Sequence, residues 1–245
     1  MCTLVLAWQV FPDTPVCVAA NRDEADDRPS DPPGEYETGP RIVAPRDRTA
    51  GGTWIGYNEH GVFAAVTNRW TDTDLPASRS RGRLVADALS AESAESAARL
   101  VEDAVADVDY DGFNLVLADE NAALYCEWDG RLRVQNWRPG LHVVVNVGAD
   151  GDFAVPERRR DAGERQAEDA RRARVELRPE SGETAADWRS RAASLLSDHE
   201  YAFCVHGDGF GTQSSSLLSL GSDSADWRYA DGPPCETAYR PVSQF

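Results

Sequence analysis

The residues of this sequence best suited to covalent chemistry lie near its start, where Cys2 follows Met1. Removal of Met1, which a small second residue usually permits, would give Cys2 a free α-amine with a pKa of about 7.7–8.0, suitable for a general base near neutral pH. Arg22 could favour the thiolate, the reactive form of cysteine, and Asp23 could orient the amine. In the alternative interpretation, Met1 is retained, Cys2 is a packing residue, and Arg22 and Asp23 form a surface ion pair.

Two extended segments are expected to position these residues. Residues 3–10 and 16–20 are rich in β-branched, aromatic and apolar side chains, and the proline-rich gap between them predicts a β-hairpin. With a turn at the centre of that gap, the numbers of paired residues sum to about 25. The pattern therefore places Cys2 opposite Asp23, with the neighbours of Asp23 within one residue of the same position.

Further motifs extend along the chain and resemble those of one family. In chain order they are Asn21-Arg22-Asp23-Glu24, Gly51-Gly52-Thr53-Trp54-Ile55-Gly56, Ala65-Val66-Thr67-Asn68 and Gly211-Thr212-Gln213-Ser214-Ser215-Ser216. Their sequences and order resemble the NRDE family, also called the transport and Golgi organization protein 2 family. Because the matches span nearly the whole chain, residues 1–245 are interpreted as a single domain of that family.

The resemblance implies a fold and a set of site residues. The fold is α+β, a four-layer αββα sandwich of two antiparallel sheets with helices outside, similar to the N-terminal nucleophile hydrolases that cleave penicillin V and conjugated bile acids. The catalytic residues implied are Cys2, Arg22, Asp23, Asn68 and Asn146, with the two asparagines near the oxyanion. The expected ligand-binding residues are Asn21, Glu24, Trp54, Thr212 and Gln213.

Two positions depart from the family pattern. Gln213 stands where the family usually has arginine, and Val145 precedes Asn146 where the family usually has serine. A neutral glutamine can donate hydrogen bonds but cannot hold an anion as a bidentate guanidinium does. Any carboxylate contact that the family makes through that arginine is therefore expected to differ here.

The sequence supports more than one class of function. The first is a hydrolase or acyltransferase in which Cys2 attacks a non-peptide carbon–nitrogen, ester or thioester bond, with no cofactor required. The second, implied by the family resemblance, is a protein that binds and hands on haem or an acyl-CoA. Haem usually requires an axial His, Cys or Met, for which His206 with Cys204 is a weak candidate pair. The third is a nucleophile fold retained as an interaction module.

Charge indicates the environment more than the partner. The formal net charge is −17, the isoelectric point is near 4.6, and all 25 basic residues are arginine. This composition is typical of a halophilic archaeon, because a Debye length of about 3 Å in molar salt screens the self-repulsion of an acidic protein. A GC-rich genome would explain the arginine but not the acidity. The absence of a basic stripe argues against nucleic acid as a partner.

Cysteine spacing and hydropathy bear on compartment and metals. The five cysteines are Cys2, Cys17, Cys126, Cys204 and Cys235, with no CxxC or Cys/His motif. Together with the lack of a secretion signal, this pattern predicts reduced thiols and no metal site. No run of eighteen apolar residues is present, so we expect a cytoplasmic protein without a transmembrane segment.

Four further segments have patterns that predict loops, helices or strands. Residues 26–50 are rich in Pro, Asp and Arg and predict either a lid loop over Cys2 or a surface loop. The charged tract at about 150–183 predicts a solvated helix from 157 to 175, exposed as an appendage. A second helix is expected over 185–196, with Trp188 facing inward, and a strand over 201–206.

Overall fold

A computed structural model describes residues 2–36, 39–222 and 224–243. In these residues fifteen strands and four α-helices follow one another. The first half contains β1 (Thr3–Phe11), β2 (Thr14–Ala25), β3 (Ser30–Tyr36), β4 (Ile42–Asp47), β5 (Ile55–Asn58), β6 (Phe63–Asn68), α1 (Arg81–Ala88), α2 (Ala94–Asp107), β7 (Phe113–Ala118) and β8 (Ala123–Trp128). The second half contains β9 (Leu132–Asn136), β10 (Gly140–Val145), β11 (Gly148–Ala149), β12 (Asp152–Phe153), α3 (Arg160–Glu176), α4 (Ala185–Ser197), β13 (Phe210–Leu220), β14 (Ala225–Ala230) and β15 (Arg240–Pro241).

The chain forms two units, and the first joins residues up to Asp27 with Pro139–Val242. Its sheet has eight strands in the described residues, ordered β12-β11-β10-β1-β2-β13-β14-β15, and every pairing is antiparallel. The central strand β1 is almost entirely buried, and every residue of β2 is buried or half-buried. Strands that are distant in sequence therefore lie side by side in the middle of this sheet, because β1 pairs with β10 and β2 pairs with β13.

The predicted hairpin is present, but its predicted register is wrong by one residue. Thr3 pairs with Asn21 and Trp8 with Val16, so paired numbers sum to 24 along most of the hairpin. The shift comes from a β-bulge between Trp8 and Phe11, where Gln9 has φ +51°. An extra residue on one strand displaces everything beyond it. A glutamine in this conformation carries no sequence signal of the kind that glycine provides.

Helix α3 confirms the predicted helix in the charged tract, but its predicted exposure as an appendage is wrong. It packs against β10 and buries one face, formed by Gly163, Gln166, Ala167, Asp169, Ala170 and Ala173. Because small side chains let a helix approach a sheet closely, this face needs no large apolar residues. Helix α4 packs against β2 and buries Trp188 as predicted, together with Ala192, Leu195 and Leu196.

The second unit contains Arg28–Arg138 and a seven-stranded antiparallel sheet in the described residues. Its strands are ordered as in the chain, β3 to β9. Helix α1 packs against β6, and α2 packs against β7 and β8. The buried face of α2 consists of Ala94, Ala97, Ala98 and Val101, which are spaced three or four residues apart. These side chains join the core of the second unit, which includes Phe113 and Leu115.

Two expectations for irregular and extended segments are wrong. Residues 26–50 form no long loop, because β3 and β4 lie within them and pair with each other. The prolines at 32 and 33 coincide with a register irregularity of edge strand β3, a position where a missing N–H is tolerated. Residues 201–206 are turns rather than a strand, with an isolated bridge between His206 and Gly211. Among the described residues, no helix has the length and apolarity needed to cross a bilayer.

Candidate active site

Two strand pairings define the surroundings of Cys2, which lies immediately before the first residue of β1. Leu4 pairs with Val144 on β10 and with Ala20 on β2. Continuing both registers by two residues brings Cys2 beside Asn146 on one side and Arg22 on the other. The Cys2 backbone N–H donates to the Asn146 side-chain oxygen Oδ1 at 3.0 Å. The structure therefore brings three of the predicted catalytic residues together.

The Cys2 thiol is held near the backbone of β2. Cys2 is half-buried, and its Sγ lies 3.6 Å from the backbone oxygen of Asp23. Burial raises the pKa of the Cys2 thiol above its usual value, the charge of Asp23 adds to the increase, and Arg22 opposes it. The predicted effect of Arg22 on the thiol is thus present in direction but is outweighed by burial. A nucleophile with a raised pKa requires an adjacent base to take its proton.

Asp23 is fixed from the neighbouring strand. It is 3% exposed, and the Thr212 hydroxyl donates to its Oδ1 at 2.6 Å. Thr212 pairs with Asp23 across the β2–β13 ladder and also accepts a hydrogen bond from the Val205 backbone N–H at 2.9 Å. Burial raises the pKa of the Asp23 carboxyl to about 6, while the Thr212 hydrogen bond opposes the increase. Asp23 is therefore ionised near neutral pH and titrates just below it.

Arg22 is buried beside a second carboxylate. It is 6% exposed, and its Nη2 lies 3.7 Å from Oε2 of Glu24, which is partly exposed. Glu24 also accepts a hydrogen bond from the Ala25 backbone N–H at 3.0 Å. The Asn-Arg-Asp-Glu motif therefore supplies one guanidinium and two carboxylates along a single strand.

Asn146 is oriented by a residue that the sequence did not indicate. Gln166 of α3 is fully buried, and its Oε1 accepts a hydrogen bond from the Asn146 backbone N–H at 3.0 Å. Its Nε2 donates to Asn146 Oδ1, also at 3.0 Å. A polar residue among the glycine and alanine residues of a charged helix was the available signal, but it required knowing which face of α3 is buried.

Three of the predicted ligand-binding residues interact with the protein itself. Asn21 donates from Nδ2 to the backbone oxygens of Leu196 and Phe203, both at 2.9 Å. Thr212 holds Asp23, as described above. Gln213 lies at the irregularity between β13 and β2, and its Nε2 donates to Oδ1 of Asp26 at 2.7 Å. These contacts give Asn21, Thr212 and Gln213 positioning roles in the first unit.

Asn68 and Trp54 belong to the second unit. Asn68 is exposed at the end of β6, where it pairs with Phe113 in the β6–β7 register. The backbone oxygen of Trp54 accepts a hydrogen bond from the Val66 N–H at 2.9 Å. The role of Asn68 at an oxyanion and the ligand-binding role of Trp54 stay predictions.

Comparison with solved structures defines the class of fold. Penicillin V acylase from Agrobacterium tumefaciens matches with a TM-score of 0.56 and 14% identity over 100% of this chain and 98% of that chain. The Caenorhabditis elegans ortholog of N-acylethanolamine-hydrolyzing acid amidase matches with a TM-score of 0.54 and 11% identity over 88% of this chain and 92% of that chain. A mutant of conjugated bile acid hydrolase from Clostridium perfringens matches with a TM-score of 0.52 and 11% identity over 100% of this chain and 97% of that chain. The predicted α+β, N-terminal nucleophile hydrolase fold is confirmed.

Sequence comparison then gives the family. The model of the family described as Transport and Golgi organisation 2 matches residues 1–225, and this chain belongs to that family. The mouse Transport and Golgi organization 2 homolog is 34% identical over 105 residues, which are 42% of this chain and 38% of the mouse protein. The human homolog is 34% identical over 109 residues, 43% of this chain and 39% of that protein. The matched segments thus span about two fifths of these relatives.

Proposed function

We propose that this protein is an N-terminal cysteine hydrolase or acyltransferase acting on the acyl–nitrogen bond of a non-peptide small molecule. The observation that carries this proposal is the position of Cys2, whose backbone nitrogen lies 3.0 Å from Asn146 Oδ1 and whose Sγ lies 3.6 Å from the Asp23 backbone oxygen. The three structural neighbours are named as an acylase, an amidase and a hydrolase. Ester and thioester bonds, including that of an acyl-CoA, are accessible to the same chemistry.

The proposed mechanism begins with cleavage after Met1, which converts the Cys2 backbone nitrogen into an α-amine. That amine takes the proton of the Cys2 thiol as Sγ attacks the acyl carbon. The amine then gives the proton to the leaving nitrogen, and an acyl-thioester remains on Cys2. Attack by water releases the acid, whereas attack by another acceptor transfers the acyl group. The raised pKa of the Cys2 thiol is consistent with deprotonation during attack.

The neighbouring side chains would stabilise the charges that develop. Asn146 accepts through Oδ1 from Cys2 and from Gln166, so its Nδ2 is the atom that would donate to the oxyanion. One such donor often contributes about 3 kcal/mol to transition-state stabilisation. The Asp23 carboxylate, fixed by Thr212, would orient the ammonium form of the amine. Asn68 is proposed as the second oxyanion donor because of its place in the matching family motif.

The alternative of a haem carrier is less favoured by the contacts of its proposed ligands. Cys204 Sγ lies 3.7 Å from His206 Nε2, and both atoms lie close to Cys235, at 3.5 Å and 3.1 Å from its Sγ. His206 would have to leave this group to reach a haem iron with Nε2. A Soret shift on haem titration that is lost in His206→Ala would support the carrier, and the absence of a shift would count against specific haem ligation.

The proposal is tested by intact-mass measurement and alkylation of the purified protein. We expect a mass lacking Met1, labelling of Cys2 by iodoacetamide that is faster than that of the buried Cys17 and Cys126 because the α-amine takes the thiol proton, and hydrolysis within a panel of chromogenic N-acyl amides, esters and thioesters. Cys2→Ala should abolish turnover and the rapid label while the circular dichroism spectrum is retained. Cys126→Ala is the matched control, since Cys126 is buried in the second unit. Retained Met1, or a Cys2 labelled as slowly as the other cysteines, would contradict the mechanism.

A further inference from the structure

A second group of reactive side chains lies in the first unit. It consists of His199, Cys204, His206 and Cys235, whose potential ligand atoms all lie within 4.8 Å of one another. His199 follows α4, Cys204 and His206 lie in the turns before β13, and Cys235 comes from the segment after β14. The sequence expectation of no metal site missed this group because 29 residues separate His206 from Cys235. The four residues therefore do not form one of the short Cys/His spacing motifs by which zinc sites are found in a sequence.

Three distances within this group are close to the edges of a metal-centred tetrahedron. With Zn–S of about 2.3 Å and Zn–N of about 2.0–2.1 Å, tetrahedral edges are about 3.8 Å for two sulfurs and about 3.5 Å for sulfur and nitrogen. The Cys204 and Cys235 sulfurs are 3.5 Å apart. His206 Nε2 lies 3.1 Å from the Cys235 sulfur and 3.7 Å from the Cys204 sulfur. His199 is the fourth candidate ligand, because its ring centroid lies 5.1 Å from that of His206 and its ligand atom lies within 4.8 Å of the other three.

We propose that His199, Cys204, His206 and Cys235 form a structural Zn²⁺ site. Two thiolates and two imidazoles in a tetrahedral arrangement are a common donor set of closed zinc sites. The softness of the thiolates disfavours Mg²⁺ and Ca²⁺, which prefer oxygen ligands. Four protein ligands would fill the coordination sphere, so the site is assigned to stability rather than to catalysis.

The proposed zinc site is connected to Asp23 through backbone and side-chain hydrogen bonds. Cys204 is buried, and both of its neighbours in sequence are hydrogen-bonded. The Phe203 backbone oxygen accepts a hydrogen bond from Asn21 Nδ2 at 2.9 Å, and the Val205 N–H donates to the Thr212 hydroxyl. Thr212 in turn donates to Asp23. Bound zinc would therefore fix the 199–206 turns on which the Asp23 hydrogen bond depends. These turns contain no regular strand or helix, so they need another source of rigidity.

A disulfide between Cys204 and Cys235 is the competing use of the same sulfurs. A disulfide bond is about 2.05 Å long, which is much shorter than the 3.5 Å separation. The two histidines would also have no role in a disulfide, whereas His206 contacts both sulfurs. The geometry therefore favours coordination.

The test is metal analysis of the full chain purified under reducing conditions without a metal-affinity tag. Elemental analysis should give about one zinc per chain. Replacement with Co²⁺ should give the intense visible bands of tetrahedral cobalt and a thiolate-to-cobalt charge-transfer band. Cys235→Ser and His206→Ala should each lower zinc content at least tenfold and remove that band. His60→Ala, an exposed histidine of the second unit, should keep both.

Stability measurements separate a structural site from a surface thiol that binds metal weakly. Chelation should lower the unfolding midpoint of the wild type but leave that of Cys235→Ser unchanged. Zinc far below one per chain, a cobalt spectrum unaltered by Cys235→Ser, or an intact mass two hydrogens lower because of a Cys204–Cys235 disulfide would each overturn the proposal. None of these readouts depends on catalytic activity, so they stand apart from the hydrolase proposal.

Discussion

The side-chain oxygen of Asn146 lies 3.0 Å from the backbone nitrogen of Cys2, although 144 positions separate the two residues in the chain. The contact exists because β10 pairs with β1 in a register that continues beyond both strands. The same asparagine is held through two hydrogen bonds by Gln166 of α3. The environment of the candidate nucleophile thus depends on a strand pairing and on a helix, and each can be tested separately.

Replacement of Gln166 with leucine should impair the site more than the fold. The change removes the acceptor of the Asn146 N–H and the donor to its Oδ1, and an unsatisfied buried group costs about 1–3 kcal/mol. Misplacement of Asn146 should lower kcat/KM on the order of 10²-fold and slow alkylation of Cys2. Gln135→Leu, at an exposed position of β9, is the control. Equal activity of the two variants would contradict the positioning role of Gln166.

Asp23→Asn should stabilise the protein while abolishing turnover. The Asp23 pKa is about 6 in the folded protein and about 3.9 when unfolded, so between these values the folded state binds more protons. Wild-type stability should therefore fall, relative to Asp23→Asn, as pH rises from about 4 to above 6, by up to about 3 kcal/mol. Urea unfolding of both proteins at pH 4, 5, 6 and 8 measures this difference. A difference independent of pH would show that Asp23 is not desolvated.

The bulge at Gln9 should tolerate glycine but not proline. Gln9 has φ +51° and is exposed, so Gln9→Gly relieves a conformation that costs about 1–2 kcal/mol for most residues, partly offset by the greater flexibility of unfolded glycine. A net gain of at most about 1 kcal/mol is expected. Gln9→Pro should cost more than about 1 kcal/mol, because the proline ring fixes φ near −65° whereas this position has φ +51°. Thermal unfolding compares the two variants. A proline variant as stable as wild type would show that residue 9 does not need a positive φ.

The unfolding midpoint should rise when potassium chloride increases from about 0.1 M to about 2 M, where the Debye length falls from about 10 Å to a few ångströms. The net charge of −17 provides the self-repulsion that salt would screen. Sucrose at equal osmolality is the control for general exclusion effects. A midpoint that responds equally to salt and sucrose would remove the support for a halophilic source.

Part of the site could be predicted because its residues lie in a short, strongly patterned hairpin. The hairpin pattern placed Cys2 near Arg22 and Asp23, whereas Asn146 was expected only from the family resemblance; the hairpin between β1 and β2 and the contact of Cys2 with Asn146 are present. The register was missed by one residue because only the backbone angle of Gln9 reveals the bulge. Spacing within one strand can be read from sequence, but an irregularity with no glycine or proline cannot.

The features that the sequence did not reveal depend on long-range packing. Gln166 lies in helix α3, whose sequence is charged along its whole length. Its role became clear only because one narrow face of α3 packs against β10 and is buried. The sulfurs of Cys204 and Cys235 approach each other across 31 positions. Strands β3 and β4 were missed because prolines and charges dominate the segment, although Ile42, Val43 and Ala44 are buried.

The edge strands of the two sheets affect whether copies of this protein aggregate at high concentration. The outermost strands of the first sheet, β12 and β15, have two residues each, and β3 at one border of the second sheet is interrupted at its prolines. At the other border, β9 carries Arg133, which pairs with Glu127 and Asp129. Such edge strands offer few N–H and C=O groups for strand addition by another molecule. Resistance to aggregation would therefore persist in concentrated salt, where mutual charge repulsion no longer keeps molecules apart.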